Sequence, residues 1–327
     1  MRAEIHTVPK SEHFELQRLA EGVYAAIAVE GGAAYSNAGI IDLGDQTLIF
    51  DTFETHTAAV DLRMTAERLT GRPASWVVIS HAHPDHWMGN QVFASHTPII
   101  TTRQSRAAMQ TFAADILETK ANPSELEELI HQEEENFRIE RDARRRVSRQ
   151  IMLTRMKHEL AMLPSLSIRF PNQTFEGSLT FHGPLRQAEL AAVGHAHTPG
   201  DCCLMLPEER IAFLGDVAFF QSPPFMANCD PQAWMALLDK LAQSEFKTLV
   251  PGHGPLGNRN DLMLQKRYIA VLEQAVEQVV SSGGTLEQAL EIELPEPFDV
   301  WLSRGMARFE ANVRASYQRI SKLQMDK

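Results

Sequence analysis

The residues best suited to chemistry form one short segment, His81-Ala82-His83-Pro84-Asp85-His86. It carries three imidazoles and one carboxylate directly after the apolar run 76–79. Uncoordinated, these groups would crowd polar side chains at the edge of a core, with desolvation costs and mutual repulsion once protonated. Neutral imidazole and carboxylate are ligands that Zn²⁺ favours, and Mn²⁺ or Fe²⁺ accepts the same set. The segment therefore predicts a metal site, against the alternative of a solvated histidine-rich loop.

Three later segments place polar side chains just beyond short apolar runs. They are Gly194-His195-Ala196-His197-Thr198-Pro199-Gly200-Asp201, Leu214-Gly215-Asp216 and Pro251-Gly252-His253-Gly254. The apolar runs are typical of buried strands, and loops at strand ends carry function on a rigid scaffold. One such strand end means little, whereas four of them in one chain predict a common site.

These motifs resemble the metallo-β-lactamase fold superfamily, in its glyoxalase-II-like and lactonase-like branch. The resemblance rests on His-x-His-x-Asp-His, His-Thr-Pro-Gly, Leu-Gly-Asp and Pro-Gly-His-Gly, and it covers about residues 15–257 apart from one insertion. It implies that one metal binds His81, His83 and His197, and that Asp216 bridges to a second metal. The ligands implied for the second metal are Asp85, His86 and His253.

Two further residues have open roles. His195 competes with His197, but the superfamily pattern places the ligand immediately before Thr-Pro-Gly. His197 is therefore the ligand implied, and His195 has a supporting or merely structural role. Asp51 ends the apolar run 48–50 and either accepts a hydrogen bond from a ligand histidine or caps a turn. Both interpretations of Asp51 stay open at this point.

The resemblance implies a hydrolase with two zinc ions as its cofactors. Two metals that share a carboxylate and a water lower the pKa of that water and supply a hydroxide nucleophile, which Asp85 would help to orient. An ester, lactone or thioester bond of a small molecule is the first expectation. The alternatives are phosphodiester or β-lactam hydrolysis at the same site, and sulfur dioxygenation by a single iron. Asp216 argues against β-lactams, because metallo-β-lactamases proper usually have Cys or Ser there.

Composition bounds the class of protein. The chain has 327 residues, of which 44% are hydrophobic, enough for a large core. The net charge of -11 argues against nucleic acid as a partner. No stretch approaches the length of a membrane span, and the opening residues 1–6 lack the apolar segment of a secretory signal. We therefore expect a cytoplasmic protein with no membrane partner, and the three cysteines, Cys202, Cys203 and Cys229, agree with a reducing compartment.

Strand-rich patterns flank a charged, helical segment. This order predicts an α/β fold, a four-layer αβ/βα sandwich of two mixed β-sheets with a helical insertion and a helical C-terminal extension. The predicted catalytic domain is 1–257, with the insertion at about 101–163, and the extension is 258–327.

The insertion is expected to cover one wall of the metal cleft and to control which substrate enters. Its apolar side, including Leu153 and Met156, is expected to border that cleft. Arg144-Arg145-Arg146 within it is more simply part of a solvated face than an anion site. Apolar stripes on the last helices indicate packing on the sandwich or a homodimer through helical segments.

Overall fold

The strands of the computed structural model, which describes residues 10–325, form two mixed β-sheets. The first sheet follows the order of the chain: β1 (Phe14–Ala20), β2 (Val23–Ala28), β3 (Ala38–Asp42), β4 (Thr47–Phe50), β5 (Trp76–Val78), β6 (Ile99–Thr102) and β7 (Gln173–Phe175). The second sheet has the order β12 (Thr248–His253), β11 (Ile211–Phe219), β10 (Asp201–Leu206), β9 (Gln187–Gly194) and β8 (Ser178–His182). Pairing is antiparallel from β1 to β4 and parallel from β4 to β7. In the second sheet only β11 and β12 are parallel.

Helices cover the outer faces of both sheets. They are α1 (His56–Thr70), α2 (Pro84–Trp87), α3 (Arg103–Ala121), α4 (Pro123–Ile139), α5 (Ala143–Met162), α6 (Pro231–Ala242), α7 (Arg259–Ser281), α8 (Leu286–Leu290) and α9 (Phe298–Met325). Side-chain caps define several starts; for example, the Thr55 hydroxyl accepts a hydrogen bond from the Ala58 amide at the start of α1.

Three apolar clusters separate four layers. Phe50 and Phe213 meet between the two sheets, with ring centroids 5.8 Å apart. A second cluster, which includes Leu62, fills the space between the first sheet, α1 and the insertion. The third, which includes Trp234, lies between the second sheet and α6, α7 and α9. The predicted α/β sandwich of two mixed sheets is confirmed, together with its helical C-terminal extension.

The insertion consists of α3, α4 and α5, and its apolar side faces the core. Leu153 is 4% exposed and belongs to the cluster beneath the first sheet, and Met156 packs against that cluster. The expectation that this apolar side borders the cleft is therefore wrong, because these side chains gain more by leaving water than by lining a polar site. The cleft side of α5 instead carries Thr154 and Arg155.

The C-terminal helix α9 packs on the insertion helix α5. The Ser148 hydroxyl of α5 accepts a hydrogen bond from the Ala307 amide of α9 at 3.1 Å. Gly305 interrupts α9 with φ −106° and ψ 15°, and a Cβ there would collide with the ring of Pro223. This glycine therefore lets α9 approach the loop after β11. The helices α7 and α9 share an apolar cluster with the second sheet, so the packing does not mark a boundary after residue 257. The division of the chain at this residue stays a prediction.

Within residues 10–325, every helix is too short or too polar to cross a bilayer. Residues 1–6, on which we based the absence of a signal segment, lie outside the described part. The cytoplasmic location and the homodimer both stay predictions.

Candidate metal centre

The loop between β5 and α2 delivers the first cluster of polar side chains. Pro84 is the first residue of α2, where its fixed φ suits a helix and its missing N–H costs nothing. The chain therefore turns into a helix immediately after His83. Asp85 and His86 follow in the first helical turn, and all three side chains are at most 9% exposed.

One set of ligand atoms surrounds a carboxylate oxygen of Asp216. Nδ1 of His83 lies 3.0 Å from Nε2 of His81 and 2.8 Å from Nε2 of His197. Oδ2 of Asp216 lies 3.6 Å from Nε2 of His81 and 3.3 Å from Nε2 of His197. These four buried residues form a group able to hold a metal ion.

The second set faces the other oxygen of the same carboxylate. Oδ1 of Asp216 lies 3.1 Å from Nε2 of His86 and 3.3 Å from Nε2 of His253. Oδ2 of Asp85 lies 3.4 Å from Nε2 of His253 and 3.8 Å from Nε2 of His86. Asp85, His86 and His253 form the second group able to hold a metal ion. The fold thus brings all seven predicted ligands together and divides them into the two predicted sets.

The position of Asp216 depends on close backbone packing. β11 continues to Phe219, so Asp216 lies within this strand and not at its end as its sequence suggested. A Cβ at Gly252 would collide with the Asp216 carboxylate, which explains the glycine before His253. Asn37 holds the same loop, because its side-chain amide donates to the carbonyls of Pro251 and Gly254, both at 2.9 Å.

Asp51 supports a ligand histidine. It is fully buried, and its Oδ2 lies 2.7 Å from Nδ1 of His86. Ser80 donates to the same carboxylate from its amide at 2.7 Å and from its hydroxyl at 2.8 Å. Of the two roles left open for Asp51, the structure therefore shows that of a hydrogen-bond acceptor for the ligand histidine His86. A carboxylate there fixes the ring orientation and leaves Nε2 of His86 facing Asp216.

The charge state of the histidines suits a cation. Burial lowers the pKa of His81 well below its usual range and that of His83 to about 3, so both imidazoles are neutral, as metal ligands must be. Burial also opposes a proton on His86. Its pKa is nevertheless raised well above the usual value by three nearby carboxylates, those of Asp216, Asp51 and Asp85. Those carboxylates require positive charge at this point, which a divalent cation also provides.

The pKa values of the two ligand carboxylates, Asp216 and Asp85, favour their ionised form. Burial raises the pKa of Asp216, but the neighbouring histidines hold it well below its usual range. The pKa of Asp85 is also lowered, because the attraction of His86, Arg155 and His253 exceeds the effect of burial. Ionised carboxylates are hard ligands and neutral imidazoles are borderline ligands. This combination suits Zn²⁺, Mn²⁺ or Fe²⁺.

Two geometric observations support the fit of a metal. Nε2 of His86 and Oδ1 of Asp216 are buried and lie 3.1 Å apart, yet within residues 10–325 neither makes a hydrogen bond, although both are strong polar groups. Tetrahedral ligands on a zinc ion lie about 3.3 Å apart, as follows from bond lengths of about 2.0–2.1 Å. Asp216 and its histidine neighbours match this spacing, at 3.1–3.6 Å. The residues therefore fit the two metals implied by the sequence.

We predict that the purified protein contains two divalent ions per chain, with zinc as the first candidate, because the donors form two groups around one carboxylate. Elemental analysis of protein purified without chelator measures this number directly. Protein treated with chelator and dialysed serves as the control. A constant single ion in fully active protein would contradict a dinuclear site and favour the single-iron alternative.

His195 lies outside the cluster that contains His197. Its side chain is exposed, and its Nε2 lies 2.9 Å from the carbonyl oxygen of Asn228. His197 is 1% exposed, and its amide donates to the Asp201 carboxylate at 2.7 Å, which orders the turn before β10. The arrangement thus agrees with the choice of His197 as the ligand.

We therefore expect His195→Ala to retain the full metal content and at least about half of the activity, because only one exposed contact is lost. Metal content and kcat/KM measured on the same preparation check this, with His197→Ala as the matched variant that should lose metal. Loss of metal from His195→Ala would exchange the roles of the two histidines.

Two arginines border the metal ligands, and the sequence did not single them out. Arg155 of α5 lies 3.0 Å from the buried Glu54 and 3.8 Å from Oδ1 of Asp85. Arg155 and Arg308 of α9 both line a pocket of about 190 Å³ at the metal ligands. Phe219 and Phe225 line it as well. The insertion and the C-terminal extension thus each contribute one guanidinium group. No local pattern distinguishes these two arginines from the many others on α5 and α9.

The sequence profile of the Metallo-beta-lactamase superfamily matches residues 31–253, which is more than half of the chain. The chain belongs to this superfamily. Within the matched residues, two groups of side chains could hold metal ions. The predicted superfamily is confirmed, whereas its glyoxalase-II-like and lactonase-like branch stays a prediction.

Similar proteins include alkylsulfatases and β-lactamases. A curated protein, "Linear primary-alkylsulfatase" from Pseudomonas sp., is 23% identical over 295 residues, which are 85% of this chain and 54% of the relative. The solved sec-alkylsulfatase from Pseudomonas sp. has a TM-score of 0.65 at 16% identity, over 94% of this chain and 50% of that one. A metallo-beta-lactamase from Pontibacter korlensis has a TM-score of 0.54 at 17% identity, over 79% and 99%. The chain thus spans about half the length of its alkylsulfatase relatives, and the structural likenesses show the fold alone.

Proposed function

We propose that this protein is a metal-dependent hydrolase that cleaves an ester bond in a small molecule, and that the acid half of this ester is anionic. A sulfate ester is the first candidate. The observation that carries the proposal is the guanidinium of Arg308, which lines the pocket at the metal ligands and makes no ion pair within residues 10–325.

The groups that Arg308 hydrogen-bonds are uncharged, and the carboxylates of Asp216 and Asp85 line the same pocket. Within residues 10–325, its guanidinium donates to the carbonyl of Pro223 at 3.1 Å and to the hydroxyl of Ser222 at 3.5 Å, and it lies 5.2 Å from the Phe219 ring centroid. Burial lowers the pKa of this guanidinium. Asp216 and Asp85 attract this guanidinium, but within residues 10–325 neither forms an ion pair with it, and bound divalent ions would compensate the charge of both carboxylates. An anionic ligand would give the guanidinium a direct partner. This supports an anionic group as part of the substrate.

Arg155 is the second guanidinium group of the pocket, but it is already paired. Glu54 is 5% exposed and accepts its hydrogen bond, and the Tyr35 ring centroid lies 5.2 Å from the guanidinium carbon. Arg155 therefore has a fixed position from which it can orient Asp85 and add positive potential to the pocket. Arg308 remains the group free to bind the ester.

Bound divalent ions would supply a Lewis acid for the ester oxygen and lower the pKa of a water molecule. The chain's own residues provide the remaining functions. Asp216 holds the two ligand sets together, and Asp85, ionised and fixed by Arg155, orients the attacking water through its carboxylate. Arg308 neutralises charge on the acid half of the ester as the bond breaks. Phe219 and Phe225 restrict the access of other water molecules.

The name of the curated relative favours a sulfate ester among anionic esters. A neutral lactone or thioester would leave Arg308 uncompensated, and Asp216 stands where metallo-β-lactamases proper usually have Cys or Ser. Phosphate monoesters and diesters share the anionic character and remain the second candidate class.

The test is a hydrolysis screen of the metal-loaded protein. It compares alkyl sulfates with phosphate esters, carboxylic esters, lactones, thioesters and a β-lactam, with Asp216→Asn as the inactive control. We expect the highest kcat/KM for sulfate esters. A clear preference for neutral carboxylic esters or lactones would contradict the anionic substrate. Activity of Asp216→Asn equal to that of the wild type would contradict the assignment of the metal centre as the active site.

A further inference from the structure

A second cavity opens beside the metal ligands, between the loop that joins β2 to β3 and the insertion helix α5. This groove has a volume of about 320 Å³. Ala28, Val29 and Gly31 line one wall, and Ile151 and Thr154 line the other. Neither wall contains a metal ligand or one of the two pocket arginines.

The groove adjoins the pocket of the metal ligands. His253 lines both cavities. Tyr35 lines the groove, and its ring lies against the guanidinium of Arg155, which lines the pocket. The pocket alone, at about 190 Å³, is smaller than the roughly 300 Å³ or more of typical small-molecule sites. A ligand of ordinary size at the metal ligands therefore extends into the groove.

The walls of the groove are mainly carbon. Val29 and Ile151 are each 36% exposed, which leaves apolar surface facing solvent across the groove. The polar groups at its base are already satisfied, since Asn37 accepts from the Ala28 amide at 3.0 Å and donates to two carbonyls of the 251–254 loop. Such a surface gains free energy when an apolar group covers it, and it offers little to a polar one.

The outer end of the groove carries an ion pair with no net charge. Arg304 of α9 lies 2.9 Å from Glu30, and both side chains are more than half exposed. The inner end carries the guanidinium groups of Arg308 and Arg155 beside the carboxylates of Asp85 and Asp216. Bound divalent ions would compensate these carboxylates, so an anion would be attracted at this end. The two ends together fit an amphiphile, with its anionic group inward and its apolar part outward.

We propose that this groove binds the alkyl chain of the substrate, so that the enzyme acts on esters of long, unbranched alcohols with an anionic acid. This inference rests on the proposed function and adds the class of alcohol. The Val29 wall and the Ile151 wall cover the chain from both sides, and each buried methylene raises affinity by up to about fourfold. The insertion helix α5 therefore determines which chain lengths are accepted.

Binding of alkyl sulfonates tests the groove without turnover, because their carbon–sulfur bond is not an ester. Calorimetry of the metal-loaded full chain compares octanesulfonate with ethanesulfonate. We expect octanesulfonate to bind at least about tenfold more tightly. Ile151→Gln and Val29→Gln, at exposed positions on opposite walls, should each reduce this ratio at least about threefold and leave ethanesulfonate binding unchanged. Val147→Gln, at a 39% exposed position on α5 outside the groove lining, is the matched control and should keep the ratio.

The outcomes separate the two proposals. Equal binding of the two sulfonates overturns the groove as an alkyl site while the anionic substrate stands. An unchanged ratio in both wall variants, or an equal loss in Val147→Gln, also overturns it. Absence of binding by either sulfonate contradicts the anion site of the proposed function. The same length dependence in kcat/KM for alkyl sulfates supports both proposals.

Discussion

Asp216→Asn is expected to lower kcat/KM by at least about a thousandfold, while the fold is retained. Each oxygen of this carboxylate faces one set of ligands, at 3.1–3.6 Å from four histidine nitrogens. The amide has the same size but no charge, so it can neither bridge the two sets equally nor compensate two cations. Steady-state kinetics, elemental analysis and thermal unfolding of the same preparation provide the measurement. We expect at least one ion per chain to be lost.

The matched control is Asp230→Asn. Asp230 begins α6, where its carboxylate accepts hydrogen bonds from the amides of Gln232 and Ala233, both at 3.0 Å. Asparagine caps a helix as well as aspartate does, so activity and Tm should remain close to those of the wild type. Near-normal turnover of Asp216→Asn would show that the bridge between the ligand sets is assigned wrongly.

Arg308→Met is expected to lower kcat/KM for sulfate esters by about a hundredfold, as when one partner of a desolvated ion pair is removed. Hydrolysis of a neutral carboxylic ester should change much less, because this substrate has no anionic group for the guanidinium. Stability should change little, since the variant loses hydrogen bonds to Pro223 and Ser222 but also removes a desolvated cation that makes no ion pair within residues 10–325. Kinetics on both substrates, with Tm, check all three expectations.

Arg314→Met, on the exposed side of the same helix, is the control for Arg308→Met and should leave both activities unchanged. An equal loss for charged and neutral esters in Arg308→Met would mean that Arg308 only maintains the packing of α9 on the Pro223 loop. A loss confined to the charged ester identifies it as a substrate ligand.

The predicted ligand residues could be found from the sequence because polar residues at the ends of apolar runs indicated a site, and the motifs around them resemble those of the superfamily. His81 and His83 are two residues apart on one loop, and His253 stands between glycines after an apolar run. The choice between His195 and His197 relied on the Thr-Pro-Gly motif that follows His197, and the structure places His197 in the cluster. Asp51 could not be decided in advance, because its contact with His86 joins two loops that only the folded sheet brings together.

The sequence by itself indicated the two mixed sheets through strand periodicity, and its motifs carried the resemblance to the superfamily, which implied the seven candidate ligands. Tertiary structure alone decided the surroundings of the ligands. Arg155 and Arg308 lie on amphipathic helices whose local sequence favours only helix formation, and they reach one pocket because α5 and α9 pack together. The buried side of α5 was likewise misassigned, since periodicity shows that a helix has an apolar face but not which neighbour covers it.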